Sequence, residues 1–153
     1  MVVNECQLIY ESLNLLRMQI RVSYSEILQF VRKKSGLDLS RVAIQSHVSD
    51  TVNISYQISK WLPAASISIS VTSIINSTIC FSYNCGPALS LIFANVISYL
   101  QANIPKGINV NTDTCQIILH LSEVNGLNQV VDDMFIDSLE FHNDEVIISA
   151  YLR

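Results

Sequence analysis

The sequence predicts an α+β fold: an antiparallel sheet of hairpins, curled around or packed on a long uncharged helix over about residues 87–104, with shorter helices beside it. Three observations predict it. Cys85 to Ile104, CGPALSLIFANVISYLQANI, carries no charge and lies in a wider stretch, Trp61 to Thr112, whose one Lys, Arg, Asp or Glu is Lys106. Segments that alternate apolar and polar residues recur on both sides of it, as half-buried strands require. Turn-forming pairs such as Ser49-Asp50, Asn76-Ser77 and Asn143-Asp144 separate those segments at hairpin spacing.

Taken in order, Cys6, Ile9, Leu13 and Leu16 recur at helical spacing and predict a first helix over 4–16. Met18, Ile20 and Val22 alternate with Arg17, Gln19 and Arg21, a short strand. Ser23-Tyr24-Ser25-Glu26 is a capping box and opens a helix over 24–35, with Ile27, Leu28, Val31 and Phe30 as its apolar stripe and Gly36 as its stop. A hairpin follows, Val42–Val48 and Val52–Ile58, broken by Trp61-Leu62-Pro63. Residues 65–74 set Ile67, Ile69 and Val71 against Ser66, Ser68, Ser70 and Thr72, and Ile79, Phe81 and Tyr83 alternate on the return. The hydroxyl face of these two strands is polar but uncharged, where solvated faces normally carry Lys and Glu. It reads as a covered, pairing or ligand-facing surface.

Gly86-Pro87 starts the central helix and Pro105-Lys106-Gly107 closes it. Ser90, Asn95, Ser98 and Gln101 share one side; Leu89, Ile92, Phe93, Val96, Ile97, Tyr99, Leu100 and Ile104 fill most of the rest. At about 18 residues it is near the lower limit for crossing a bilayer. It also lacks flanking basic clusters and an aromatic belt, so a helix wrapped by sheet is expected and not a transmembrane segment. Beyond it come a hairpin (Ile108–Val110, Ile117–Leu121), a short helix from Asn125 with Leu127, Val130, Val131 and Met134 on one face, and a last hairpin at Asn143-Asp144. DTVNISY from Asp50 and DEVIISAY from Asp144 echo one another.

A chain of 153 residues is expected to form a single domain, 1–153, with a core that needs no disulfide or metal. Apolar residues make up 50% and charged residues 14%, which excludes disorder. A net charge of −4 argues against nucleic acid as a partner. Seven Lys or Arg fall within 17–60 and eight acids within 113–153. These halves pair inside the fold or drive head-to-tail self-association. The N-terminus has no basic region and includes Glu5 and Glu11, so no secretory signal is read and a cytoplasmic location is expected. Cys6, Cys80, Cys85 and Cys115 are then expected as reduced thiols.

The order of elements resembles small bacterial members of the tubular lipid-binding (TULIP-like) superfamily. A short strand enters SYSEILQFV; a hairpin, two long strands, the uncharged helix and Lys106-Gly107-Ile108-Asn109-Val110 follow, leading into CQIILHL. The likeness covers roughly residues 17–121. It implies a curled antiparallel sheet wrapping a long helix, and a lipid or other apolar ligand held between them.

For chemistry, Cys85 is the one reactive candidate, a thiol at a helix start that would want His47, His120 or His142 as a base. No metal or cofactor constellation is read: Cys80 and Cys85 lack zinc-ligand spacing, and Asp132, Asp133 and Asp137 read as a solvated cluster. With no complete catalytic set, the balance falls against an enzyme. The expected function is non-catalytic binding of a lipid or other apolar small molecule, in a cavity lined by Phe81, Leu89, Phe93, Val96, Ile97 and Leu100. The alternative is a self-association or protein–protein interaction module without a small ligand.

Overall fold

Residues 17–36, 38–57, 59–87, 89–90, 94, 98, 104–125 and 128–152 are described in the computed structural model. Their alternating segments form nine strands: β1 (Arg17–Ser23), β2 (Val42–Val48), β3 (Thr51–Tyr56), β4 (Ala65–Ile75), β5 (Thr78–Asn84), β6 (Ile108–Asn111), β7 (Gln116–His120), β8 (Met134–His142) and β9 (Glu145–Leu152). The helical elements are α1 (Tyr24–Ser35), α2 (Asn128–Val131) and a 3-10 turn at Leu121–Glu123. The strands make two antiparallel sheets, a six-stranded one in the order β2-β3-β4-β5-β7-β6 and a three-stranded one in the order β1-β9-β8.

The expected α+β fold built on a long helix is therefore corrected. Among the described residues the architecture is antiparallel β, and the longest described helix, α1, has twelve residues. The physical reason is that every alternating segment finds an antiparallel partner, so strands supply most of the core. Val52, Ile79, Tyr83, Phe141, Ile147 and Ala150, all on strands, are buried. Pro87, Leu89, Ser90, Ala94 and Ser98 are helical, and the Ser90 amide donates to the Gly86 carbonyl at 2.9 Å. The rest of the expected helix, like the expected helix over 4–16, lies outside the described residues. The helix expected from Asn125 to Met134 shrinks to α2, because Met134 opens β8 and is buried there.

Register assigns the two faces of the large sheet. Val42, Ile44 and Ser46 stand opposite Tyr56, Ile54 and Val52; these in turn face Ala65, Ile67 and Ile69. Continuing across, Phe81 pairs Val71 and Ile117, and Ile79 pairs Leu119. All lie on one inner, apolar face. Register shifts beside His47, Thr72 and Asp137 mark bulges that bend β2, β4 and β8. Gly107, at φ +95°, approaches β7 so closely that a Cβ would lie 2.7 Å from the His120 carbonyl oxygen, a place that requires glycine.

The sheets are joined where two hairpin turns meet the start of α1. Ser23 is the helix cap: its hydroxyl accepts from the Glu26 amide at 3.2 Å, and the Glu26 carboxylate accepts from the Ser23 amide at 2.9 Å. The next amide, Tyr24, has no acceptor within the helix and donates instead to the Asp144 carbonyl at 2.8 Å. The Ser46 hydroxyl donates to the Asn143 carbonyl at 2.6 Å, so its single hydrogen is committed. The Tyr24 hydroxyl, 2.6 Å away, is then the donor to Ser46. From the other turn, the Ser49 carbonyl accepts from the Phe141 amide and the Asp50 carbonyl from the Val71 amide. Tyr24, Val52 and Phe141 form the buried cluster beneath, with Ile27, Ile44 and Val146 packed on it. The apolar stripe of α1 is narrower than expected: Ile27 and Leu28 are half-buried, but Phe30 is 62% exposed and Val31 39%.

The three-stranded sheet carries the charge. Arg21 pairs with Glu145 at 2.7 Å, and Arg17 reaches Asp137 at 3.8 Å while lying over the Tyr151 ring. The basic N-terminal and acidic C-terminal segments thus meet within one chain, through β1 and β9.

Two predictions arise. Removing the Tyr24 hydroxyl (Tyr24→Phe) leaves Ser46 its carbonyl acceptor and is expected to cost about 1 kcal/mol in urea unfolding. Ser46→Ala strands the Tyr24 hydroxyl, while the exposed Asn143 carbonyl turns to water, and is expected to cost about 2 kcal/mol, the larger loss. For pH, hydrogen bonds from the Ser23 amide and then its hydroxyl hold the Glu26 carboxyl below its usual value of 4.5. A depressed carboxyl stabilises the fold above its unfolded value and loses that contribution as pH falls through its folded value. The stability gap between the native protein and Glu26→Gln should be open at neutral pH and close below 4.5, read from unfolding curves at both ends.

Candidate functional site

The inner face of the large sheet is capped at one end by α1 and β8, and a cavity of about 250 Å³ remains between them. Ile44, Val52 and Ile54 line it from β2 and β3; Ile69, Phe81 and Ile117 come from β4, β5 and β7. Tyr24, Ile27, Phe141 and Val146 close it. These side chains project there because each holds an inward position in the alternation of its strand, or faces the sheet from α1. The Tyr24 hydroxyl is the one polar side-chain group among them, and Ser46 engages it. An open recess lined this way offers an apolar guest surface to bury.

A second recess, about 380 Å³, adjoins it across Ile54. It is walled by Val42, Tyr56, Ala65 and Ile67 and covered in part by Leu89. Of the residues expected to line a ligand cavity, the structure thus places Phe81 in the deeper void and Leu89 in the outer recess. Phe93, Val96, Ile97 and Leu100 lie outside the described residues. The lining residues on β2, β3, β4 and β7 were not anticipated as a site. Their signal was the phase of the alternation, which became a shared face only once register was known.

The outer face of the same sheet is of the opposite kind. Gln45, Asn53, Ser68 and Asn84 stand side by side across four strands; Thr51, Ser70, Ser82, Gln116 and Asn111 form the next row. Ser68 donates to the Asn53 side-chain oxygen at 2.6 Å, and the Thr51 and Ser70 hydroxyls are 2.8 Å apart. No strand of this sheet contains Lys, Arg, Asp or Glu.

Cys85 follows β5 as a free, half-buried thiol, as do Cys80 and Cys115 in their places. The register keeps every described histidine away from it. His120 bonds Thr78 at the far end of β5, about 20 Å along the strand. His47 lies on β2, three strands across, about 14 Å. His142 stands beside His47 in a groove of about 500 Å³ at the turn junction. Near Cys85, burial first, and then the Cys115 and Cys85 thiols, push the Tyr83 hydroxyl above the ordinary phenol range. No group of three or more His, Cys, Asp or Glu is placed to hold a metal ion among the described residues. Nor is any helix among them long and apolar enough to cross a membrane.

Comparison with protein-family models, curated proteins and solved structures gives no match.

Without a base in reach, Cys85 is expected to react with iodoacetamide near neutral pH no faster than in the unfolded chain. Faster labelling, mapped to Cys85 by mass spectrometry, would show an activated thiol.

Proposed function

We propose that the protein binds a small apolar molecule on the inner face of its six-stranded sheet, without catalysis. The observation that carries this is the apolar recess of about 250 Å³, lined by side chains from seven strands and α1 around one already-bonded hydroxyl. Affinity would come from burial, at about 25 cal/mol per Å² of apolar surface. With no free polar group in the lining, the site suits hydrocarbon and not a headgroup. Ligand pockets for drug-sized molecules run from about 300 to 1,000 Å³. The guest is therefore small, or is an acyl or aromatic tail that extends across Ile54 into the outer recess.

A second reading, self-association, is favoured by the charge-free outer face, whose rows of Ser, Thr, Asn and Gln could pair against a second copy. One measurement separates the two. Native mass spectrometry of freshly purified protein, followed by organic extraction, is expected to show a monomer carrying an extractable apolar mass. The protein should also take up naphthalene, a neutral fluorescent probe, and Ile69→Phe should abolish that uptake. Because the void accepts the larger ring, this variant is expected to lose less than about 1 kcal/mol, whereas overpacking a filled core costs about 1–3 kcal/mol. An empty protein that takes up no naphthalene would overturn the binding reading. An empty dimer that Ser68→Lys converts to monomer would establish the second.

A further inference from the structure

We infer that the loop joining β3 to β4 docks the protein on the surface of an anionic lipid bilayer. At its tip Trp61 is 94% exposed and Leu62 56%, the most exposed pair of large apolar side chains on neighbouring residues among the described ones. The loop is not a loose strand of chain. The Gln57 side-chain amide donates to the carbonyls of both Ser59 and Leu62, the latter at 2.7 Å. The Leu62 amide turns back to the Ser59 carbonyl, and the Trp61 amide to the Ser59 hydroxyl at 3.3 Å. A turn with its carbonyls engaged holds an indole out in solvent, so presenting it costs no ordering at the moment of contact.

What surrounds the tip selects the partner. Lys60 and Arg41 line the same recess as Trp61. Arg32, near the end of α1, and Arg41 both act on Asp38, whose carboxyl is held low mainly by Ser40. Arg32 of α1, Arg41 just before β2 and Lys60 of the loop therefore gather at this end, outnumbering Asp38, in a chain whose net charge is −4. The acids of the hairpin turns, Asp50 and Asp144, sit at the other end of β3, about 20 Å away. A molecule polarised in this way turns its Trp61 end toward a negative surface. Tryptophan settles at the headgroup level, leucine enters the acyl boundary, and lysine and arginine meet anionic headgroups. That pairing of an apolar tip with a cationic collar fits a bilayer better than an acidic protein, which offers the charge but no fluid apolar layer to receive Trp61 and Leu62.

Trp61 is the chain's single tryptophan, so its emission reports the loop directly. Mixed phosphatidylcholine–phosphatidylserine vesicles are expected to shift that emission to the blue and to expose it to quenching by brominated acyl chains. Phosphatidylcholine alone should do neither, and added salt should reverse the shift. In co-sedimentation, Trp61→Ala is expected to weaken binding about tenfold or more, and Lys60→Ala about fivefold. Both positions are exposed, and far-ultraviolet circular dichroism confirms that each variant is folded. Unchanged emission with anionic vesicles, or undiminished binding by folded Trp61→Ala, would overturn the proposal; a protein partner at this loop would give the first of these results. The readout needs no filled cavity, so failure here leaves the apolar-ligand reading standing, and the reverse.

Discussion

The structure depends on one meeting of polar groups above a buried apolar cluster, where the turns Ser49–Asp50 and Asn143–Asp144 come together over Tyr24. Each turn leaves backbone carbonyls pointing away from its own hairpin. Those carbonyls accept from Phe141, Val71 and Tyr24, and Asn143 accepts from Ser46. Two of these bonds, Phe141 to Ser49 and Ser46 to Asn143, cross from one sheet to the other, and Tyr24 ties α1 to the three-stranded sheet, so the full set forms only when both sheets and α1 are in place. Buried groups of this kind are expensive to leave unmade. The junction thereby fixes how the charged three-stranded sheet sits against the uncharged six-stranded one.

That arrangement explains the echo between DTVNISY and DEVIISAY without a duplication. Both segments are the return strands of hairpins, and each begins just after a turn whose aspartate carbonyl caps another element: Asp50 for Val71, Asp144 for Tyr24. An aspartate in the turn and an alternating run behind it are what such a strand requires. The left-handed φ of Asn143, +52°, and of Asn76, +55°, shows why asparagine leads two of the turns.

Elements were legible in the sequence because alternation, capping and turn chemistry are local. The strands β1 to β9, the Ser23 capping box and the Gly36 stop fall close to where local pattern puts them, apart from the ends at Leu121 and Met134. Pairing was not, because it joins residues far apart in the chain. Nothing around Arg17 announces that β1 lies beside β9, or that β7 inserts between β5 and β6. The weight given to the apolar run at 87–104 had the same origin: an uncharged stretch signals burial, but not whether helix or sheet supplies the core around it. Phe81 and Leu89 were expected as lining residues because one precedes that stretch and the other lies within it. Ile44, Val52, Ile54, Ile69 and Ile117 were hidden among ordinary strand positions, since only register tells which alternating residues share a face.

Charge is partitioned by sheet, and the partition has a consequence for how a guest would reach the cavity. At the junction end, the site is bounded by α1, Phe141 and the Tyr24–Ser46–Asn143 chain of hydrogen bonds, so widening it there would break polar contacts. At the other end, the site continues past Ile54 into a recess walled mainly by apolar side chains, with Asp38, Ser55 and Ser66 also on it, and reached beside Tyr56, which leads into the Trp61 loop. Passage there disturbs mainly dispersion contacts among half-buried and exposed side chains, individually weak and readily re-formed. On the readings proposed above, the end that touches the bilayer is also the end through which hydrocarbon can enter with least disruption. The charge-free strands then suit both requirements, since a lysine or glutamate on the inner face would have to be desolvated for every guest admitted.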